Sequence, residues 1–549
     1  MKAMTKCNER EVYMQKQYQN NVVKMIFPAV LFGAVTGAFT AVAVVLYKYC
    51  AKYVIHRSEE GYHYLREHLQ WLPLLLGCLL GVAFLLAYIY RKIPNLRGGG
   101  IPTSIGILRG IIPMKWLRNV IGIFVLSLVT FLIGVPLGNE GPSVQMGTAV
   151  GRGSVFMLTK KKRAWDRYAM TGGACAGFSV ATGAPISGIL FAVEEAHQRI
   201  SPIILIMATT SVMIAEIVNV FLSDLLGVSR ALFSIPSEAL HRLSTKELWI
   251  PLLIGIAVGL FAVVFLKYYA MIVRFVNRAL KKIPHGLLIF FVFTLTVGLG
   301  LLSYDFISTG HHLMLSLFDG KTSLWMLFLL LLVRSTLTLG ANSNRITGGI
   351  FLPLLALGTL VAMILGKGFH HVFGLGEDYY TVVLVLGITA CIASMMKMPL
   401  TAIIFSIEAL ALDDHILSVI VVVAVSYMIT EIFGVNSIND SVLERRIEDL
   451  HEGRHQIEID TRVTVQSGSF AIGKQIRDIF WPNNLFVLSV EHVDAPKSSS
   501  RAAKGGKEMR EGDILHIHCK TFDAEQTMEE LCAIVGEQPD HRNDSSPEL

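Results

Sequence analysis

The sequence predicts an all-α polytopic membrane protein with two related halves and broken helices, followed by a small α+β soluble domain. Three observations support this fold class. First, 53% of the 549 residues are hydrophobic and only 16% are charged, a composition typical of membrane proteins rather than soluble enzymes. Second, an apolar motif occurs twice, 214 residues apart. Third, the chain becomes charged after Phe433 and carries no further run long enough to span a bilayer.

The N-terminal segment, residues 1–24, is polar and basic, and we expect a partly helical cytoplasmic lead-in rather than a cleavable signal. Phe27–Tyr47 and Leu72–Tyr90 are long enough to form the first two spans, and basic residues precede the first and follow the second. Because Lys and Arg concentrate in cytoplasmic loops, we expect a multi-pass protein of the inner (plasma) membrane with both termini in the cytoplasm.

The remaining apolar runs show that the chain is not a simple series of crossings. Several are too short to span a bilayer or are interrupted by Gly and Pro, as in transporters with broken helices. The runs are Val120–Leu137, Ala169–Val193, Ile203–Leu225, Leu248–Val273, Leu287–Leu302, Leu324–Leu339, Phe351–Leu365, Val382–Met395, Pro399–Leu412 and Ile416–Phe433.

The stretch Gly138–Gly147 follows an apolar run and places the carboxylate of Glu140 at membrane depth. Acids in that position are costly and usually mark an ion or proton path. The flanking glycines let the backbone break, and Pro142 suits the first turn of a new helix. The free N–H groups of such a helix start favour an anion. The alternative is that Glu140 only caps a helix at the membrane surface.

Two other glycine-rich breaks have the same character, Arg97–Pro102 and Gly348–Pro353. Three helix starts that meet at one point can hold a dehydrated anion without a full positive charge beside it. The candidate anion-site residues in the first two breaks are Gly100, Ile101, Gly138, Asn139 and Gly141.

The internal repeat aligns Ala184–Glu194 with Met398–Glu408, and the two copies share a Pro, a Phe and a Glu at fixed spacing. The Glu140 stretch and Gly348–Pro353 form a second matching pair upstream. Chance similarity between apolar helices is the alternative. Duplicated halves with breaks in matching places indicate a binding site at their interface.

The chain divides into a membrane domain, residues 25–446, and a soluble domain, residues 456–536. In the soluble domain we expect a flexible loop at 497–506, and after it a disordered tail at 537–549. Alternating apolar residues and turn signals predict strands at Gln456–Val465, Leu485–Val490 and Ile514–His518, and a helix at Thr527–Val535.

Four motifs together resemble the CLC family of chloride channels and chloride/proton antiporters, over residues 25–446. They are GGGIP at Gly98–Pro102, GNEGP at Gly138–Pro142, GGIFLP at Gly348–Pro353 and GILFAVEE at Gly188–Glu195. The resemblance implies the inverted-repeat fold of that family and a homodimer with one separate pathway in each subunit.

The resemblance also implies roles for individual residues. Glu140 matches the glutamate that blocks the outer anion site and takes up the proton, and Glu195 matches the inner proton-transfer glutamate of the antiporters. Ile350 and Phe351 match the positions whose backbone amides coordinate the central anion. Gly99 matches the position where the family usually has a serine hydroxyl.

The chain departs from the family pattern in three places. Gly99 removes a hydroxyl donor from the anion site. The coordinating tyrosine of the family is absent, and Ser437, Ile438 or Asn439 occupies its place. Asn139 replaces the usual basic residue and resembles the fluoride/proton branch, although that branch carries Met where this chain has Gly99.

The adjacent acids Glu194 and Glu195 cannot share one narrow pathway, because neighbouring residues on a helix lie about 100° apart. Glu194 recurs in the second copy of the repeat as Glu408, which favours a structural role, whereas Glu195 aligns with Ala409. An anion site made of N–H donors cannot pass a proton, so the proton needs its own carboxylate, for which we predict Glu195. The alternative is a solvated pair at a helix end.

The soluble domain resembles the RCK C-terminal (TrkA-C) regulatory domain, at Val463–Lys474 and Glu511–Leu515. Such domains commonly dimerise and bind small regulatory ligands, so the resemblance implies such a ligand here. The CBS pair of eukaryotic members is absent, which suggests a bacterial protein.

The favoured function is a proton-coupled antiporter of chloride or a similar small anion in a lipid membrane. The alternatives are a passive chloride channel, a fluoride/proton antiporter, and a membrane-embedded enzyme or receptor. The enzyme hypothesis lacks any catalytic motif, and His516 and His518 have no Cys or acid partners at metal spacing. We therefore expect no enzyme, cofactor, metal site or nucleic-acid partner.

Overall fold

The computed structural model describes residues 2–98, 100–159, 163–233, 235, 240–451, 456–492 and 505–536, and for 2–24, 163 and 451 it describes the backbone alone. The predicted fold class is confirmed: a helical membrane part precedes a small region of strands and one helix. Gly99, residues 497–504 of the expected loop and the 537–549 tail lie outside the described residues.

In the residues that the structure describes, the membrane part consists of two series of eight helices and a final helix, α17 (Ile438–His451). The first series is α1 Lys2–Glu67, α2 Leu72–Lys92, α3 Ile101–Leu108, α4 Trp116–Ile133, α5 Glu140–Leu158, α6 Asp166–Thr182, α7 Pro185–Phe191 and α8 Pro202–Leu226. The second series is α9 Trp249–Leu280, α10 His285–Leu302, α11 His311–Leu317, α12 Leu324–Ser343, α13 Phe351–Phe373, α14 Tyr379–Met395, α15 Pro399–Leu410 and α16 Ile416–Ile432.

The two series are copies of one arrangement. Helix α1 packs on α8, α5 on α6 and α6 on α8, and the same contacts recur as α9 on α16, α13 on α14 and α14 on α16. Among the described residues, nine helices are long and apolar enough to cross a membrane. The internal repeat, predicted from two pairs of matching segments, therefore extends over eight helices.

Two predicted spans differ from the structure. The run Ala169–Val193 is not one helix, because Gly183 takes a left-handed conformation with φ 74° and Pro185 begins α7. Helix α7 then passes into a π-helical turn, Ala192–Ala196. The first span does not end near Tyr47, since α1 continues to Glu67.

Glycines let the central helices of each half approach closely. A Cβ atom on Gly147 of α5 would lie 2.1 Å from the carbonyl oxygen of Gly173 on α6. In the second half, a Cβ atom on Gly358 of α13 would lie 2.8 Å from the carbonyl oxygen of Gly387 on α14. Small residues at membrane helix contacts allow this backbone packing.

The two halves cap each other's helices. The Glu194 carboxylate accepts hydrogen bonds from the N–H groups of Leu400 and Thr401, at 2.9 and 2.7 Å, at the start of α15. Glu408 caps α7 in the same way, at 2.7 and 2.9 Å. A contact that two units make reciprocally relates them by a local two-fold axis. Each carboxylate satisfies N–H groups that a helix start leaves without partners.

We expect Glu408→Gln to lower the thermal unfolding midpoint in detergent by a few degrees, and to leave ion transport intact. The amide has one acceptor oxygen and no charge at the start of α7, so the loss should be about 1–2 kcal/mol. The matched control is Glu377→Gln, an exposed glutamate. Equal midpoints for the two variants would contradict a stabilising cap.

Over its described residues, 456–492 and 505–536, the C-terminal domain is a three-stranded antiparallel sheet with one helix. Its strands are β1 Ile457–Thr464, β2 Leu485–Glu491 and β3 Ile514–Thr521, in the order β1-β3-β2, and its helix is α18 Ala524–Val535. The strands and the helix lie where the sequence predicts them. The domain has its own apolar core, which includes Val463, Val490, Leu515, Ile517 and Leu531.

Candidate functional site

The three predicted breaks meet at one junction in the membrane part. A Cβ atom on Gly100 would lie 2.6 Å from the Cα of Gly141, and one on Gly141 would lie 2.7 Å from the Cα of Gly349. Only glycine backbones can approach this closely. Helices α3, α5 and α13 all begin at this junction, so their positive N-terminal ends converge there.

Backbone and amide hydrogen bonds hold the junction together. Gly138 and Gly349 exchange N–H···O bonds of 2.6 and 2.8 Å. The N–H of Gly100 donates to Oε1 of Gln145 at 2.9 Å, and Gln145 donates to Oδ1 of Asn119 at 2.8 Å. Gly100 and Gly138 are both predicted anion-site residues, but their N–H groups therefore donate to acceptors within the protein. Sequence reasoning assigned no role to Gln145.

A small pocket lies at the junction and brings four of the predicted anion-site residues together. Asn139 and Ile350 occupy the N-cap positions of α5 and α13, and the predicted residue Gly99 lies outside the described residues. The pocket is lined by Ile101, Pro102, Gly141, Ile350, Phe351, Met396 and Asn439. In this structure the pocket is too narrow for a water-sized molecule, so an anion reaches these helix starts only if the surrounding side chains move.

Glu140 is the first residue of α5 and is fully buried. Among the described residues, neither of its carboxylate oxygens makes a hydrogen bond of normal geometry. Its Oε2 lies only 2.5 Å from where a Cβ atom on Gly138 would sit, so the side chain folds back over the junction. An ionised carboxylate without partners is costly to bury, and this arrangement favours a group that takes up a proton.

Glu195 lies in the π-helical turn that follows α7 and is 5% exposed. Its Oε1 accepts a hydrogen bond of 2.9 Å from Nδ2 of Asn439, and its backbone oxygen accepts one of 3.1 Å from Arg109. Such turns are rare and occur frequently at functional sites. Its neighbour Glu194 faces α15 instead, so the two acids have different partners, as their spacing predicts.

A sequence model of the voltage gated chloride channel family matches residues 82–431, more than half of the chain. The chain belongs to the voltage-gated chloride channel family. The matched region begins in α2 and ends in α16. It therefore contains the whole junction, Glu140 and Glu195.

Relatives in this family include two curated transporters. The H⁺/Cl⁻ exchange transporter ClcA of Vibrio parahaemolyticus is 27% identical over 442 residues, which cover 77% of this chain and 91% of that protein. The ClcA of Yersinia pestis is 29% identical over 374 residues, which cover 67% of this chain and 76% of that protein.

Two solved structures have the same fold. A slow cyanobacterial Cl⁻/H⁺ antiporter matches with a TM-score of 0.69 at 24% identity, covering 77% of this chain and 99% of the other. A CLC-type fluoride/proton antiporter matches with a TM-score of 0.61 at 19% identity, covering 75% and 98%. At these identities the likeness concerns the fold.

In this channel-family protein, four arginines surround a cavity of about 250 Å³ beside the Arg97–Gly98 turn. Among the described residues that line it, Asp449 is the one carboxylate. A cavity lined mainly by one sign of charge attracts the opposite ion and raises its local concentration. We call this cavity the arginine vestibule. Sequence reasoning missed it because its arginines come from separate segments of the chain: Arg97, Arg345, Arg445 and Arg446.

The C-terminal domain docks close to Glu195. Arg167 donates to the carbonyl oxygen of Trp481 at 2.7 Å. The ring of Phe480 packs against Tyr168 and His197, with centroid distances of 4.3 and 4.4 Å. His197 is only two residues beyond Glu195, so this contact connects the C-terminal domain to the segment that carries the inner acid.

Burial disfavours a positive charge on the imidazole at this docking contact. Burial holds the pKa of His197 well below its usual range, and the positive charges of Arg167, Arg199 and Arg109 lower it further. The ring shares a hydrogen bond of 2.8 Å with the hydroxyl of Thr171. A neutral ring can pack against Phe480 without the cost of burying a charge.

Proposed function

We propose that this protein is a proton-coupled antiporter that moves chloride or a similar small anion across the membrane, with Glu140 as the gate. The observation that carries the proposal is the presence of two buried carboxylates with different surroundings. Glu140 lies where three helix starts converge, whereas Glu195 lies beside the pocket and bonds Asn439. Helix N-termini bind anions and not protons, so the second acid supplies a separate proton route.

A flux assay in liposomes tests the proposed function. Purified protein is reconstituted, a chloride gradient is imposed, and chloride efflux and internal pH are recorded together. We expect the chloride gradient to drive protons uphill. Chloride efflux without proton movement would indicate the passive channel. The same assay with fluoride tests the alternative raised by Asn139, and faster coupled transport of fluoride would favour that branch.

We further propose that both termini face the cytoplasm of a bacterial cell. Five basic side chains border a cavity of about 610 Å³ between the membrane part and α18 of the C-terminal domain. Lys and Arg concentrate on the cytoplasmic side of membrane proteins. The five basic side chains at the cavity are Lys92, Lys115, Arg118, Arg152 and Arg167.

The C-terminal domain is, in this proposal, a regulatory domain of the RCK-C type that responds to a small ligand, in a homodimer with one pathway in each subunit. Its contact with the membrane part supports a regulatory role. Phe480 is 5% exposed and touches His197, close to the proposed proton residue Glu195. A ligand that shifts the Phe480 segment would therefore act on the inner end of the proton route.

We expect a protein without residues 456–549 to insert, to dimerise and to carry anions, with altered regulation. The repeated helices are complete before this segment, and the C-terminal domain has a core of its own. Size-exclusion chromatography measures dimer formation, and liposome flux measures anion transport. Phe480→Ala should reproduce the altered regulation, and Phe486→Ala, at an exposed position on β2, should not. A truncated dimer that carries no anion would contradict this prediction.

A further inference from the structure

Asn439 lies where the anion pocket and Glu195 meet. It is the second residue of α17 and is 2% exposed. Among the described residues that line the pocket, it alone has a polar side chain. The same side chain donates from Nδ2 to Oε1 of Glu195 at 2.9 Å. One amide group therefore borders the proposed anion position and holds the proposed proton carrier.

We propose that the Asn439 amide is the side-chain ligand of the anion, and that the protonation state of Glu195 decides which end of the amide faces the pocket. The inference rests on the proposed function, because it takes Glu195 to exchange protons. It assigns a coupling role to a residue that sequence reasoning offered only as one of three replacements for the missing tyrosine.

The chemistry of the two side chains supports this switch. A primary amide has two N–H donors at one end and a carbonyl acceptor at the other. An ionised Glu195 only accepts hydrogen bonds, so it takes a hydrogen from Nδ2, as in the structure. A protonated Glu195 has an O–H donor, for which Oδ1 of Asn439 is the better partner. The amide then turns over, and its N–H groups face away from Glu195.

The turn of the amide changes how the pocket receives an anion. N–H groups directed to the pocket stabilise an anion, whereas a carbonyl oxygen repels it. A proton on Glu195 and an anion in the pocket therefore favour each other, and the coupling is equal in both directions by thermodynamic linkage. Other charged or titratable groups also lie around Glu195. These groups are Arg109, Asp440, Glu194 and His197.

Calorimetric titration of chloride into the purified full-length protein tests the inference. All variants carry Glu140→Gln, which removes the titration of the gating carboxylate. We expect the parent to bind chloride more tightly at acidic than at alkaline pH. Asn439→Leu should bind chloride equally at both pH values, and about tenfold more weakly than the parent at acidic pH, the effect of losing one hydrogen bond to an anion. Glu195→Gln should remove the pH dependence as well.

Asn219→Leu is the matched control, because Asn219 is also buried and donates to a carboxylate, Glu216, at 2.9 Å. We expect it to keep the affinity and the pH dependence of the parent. If the leucine variant does not fold, Asn439→Ser takes its place in the test. The serine hydroxyl is too short to reach both partners, so the pH dependence of chloride binding should again be lost.

The inference would be overturned if Asn439→Leu binds chloride with the affinity and pH dependence of the parent. The same holds for Asn439→Ser if that variant is used. The result is separate from the proposed function. Wild-type protein that carries chloride without protons would overturn antiport, and the binding comparison would still decide whether Asn439 links the pocket to Glu195.

Discussion

Glu140→Gln is expected to reduce proton movement to the level of empty liposomes and to leave anion flux. The glutamine has the shape of the protonated acid but cannot release a proton. The variant therefore permanently resembles the protonated form of the gate. The burial of Glu140 at the start of α5, without normal hydrogen bonds among the described residues, supports a side chain that is free to change partners. Simultaneous records of chloride efflux and internal pH measure both quantities.

The control for this prediction is Glu377→Gln, an exposed glutamate far along the chain. It should behave as the wild type in both records. Retained proton pumping in the Glu140→Gln protein would remove Glu140 from the proton path. Loss of both fluxes in a folded protein would show that Glu140 is needed for the anion pathway itself.

Glu195→Gln is expected to uncouple the protein, so that anions flow and an anion gradient no longer drives protons uphill. Glu194→Gln is the adjacent control and should keep coupling. The structure separates the two acids clearly, since Glu195 bonds Asn439 beside the pocket and Glu194 caps α15. Loss of the Glu194 charge should lower the thermal midpoint instead, as for Glu408→Gln.

The proton flux under an imposed chloride gradient decides between these roles. Uphill proton transport in the Glu195→Gln protein would place the inner relay elsewhere. Uncoupling by Glu194→Gln alone would reverse the assignment. If neither variant nor the wild type moves protons, the passive channel is the correct function.

Local sequence signals were sufficient for the breaks and for the small domain. The glycines and Pro142 around Glu140 predict a helix start, and α5 begins at Glu140. Alternation in Gln456–Val465 predicts β1. The repeat also carries a signal for the contact between the halves. Acids at matching positions of an inverted pair can contact the opposite half reciprocally, as Glu194 and Glu408 do.

Interactions between distant segments were not predictable in the same way. The N–H of Gly100 appeared available for an anion, but Gln145 accepts its hydrogen bond. The arginine vestibule combines residues from three regions of the chain. In each case the decisive partner is set by tertiary packing.

The reciprocal contacts between the halves have a mechanical consequence. Each of the two capping carboxylates accepts three hydrogen bonds from the opposite half, and Gly138 and Gly349 exchange two more. Transporters built from repeats often work by rocking one repeat against the other. Here a rocking motion would break all of these bonds together. We therefore expect the interface between the halves to stay fixed during transport, and single side chains such as Glu140 and Asn439 to move instead.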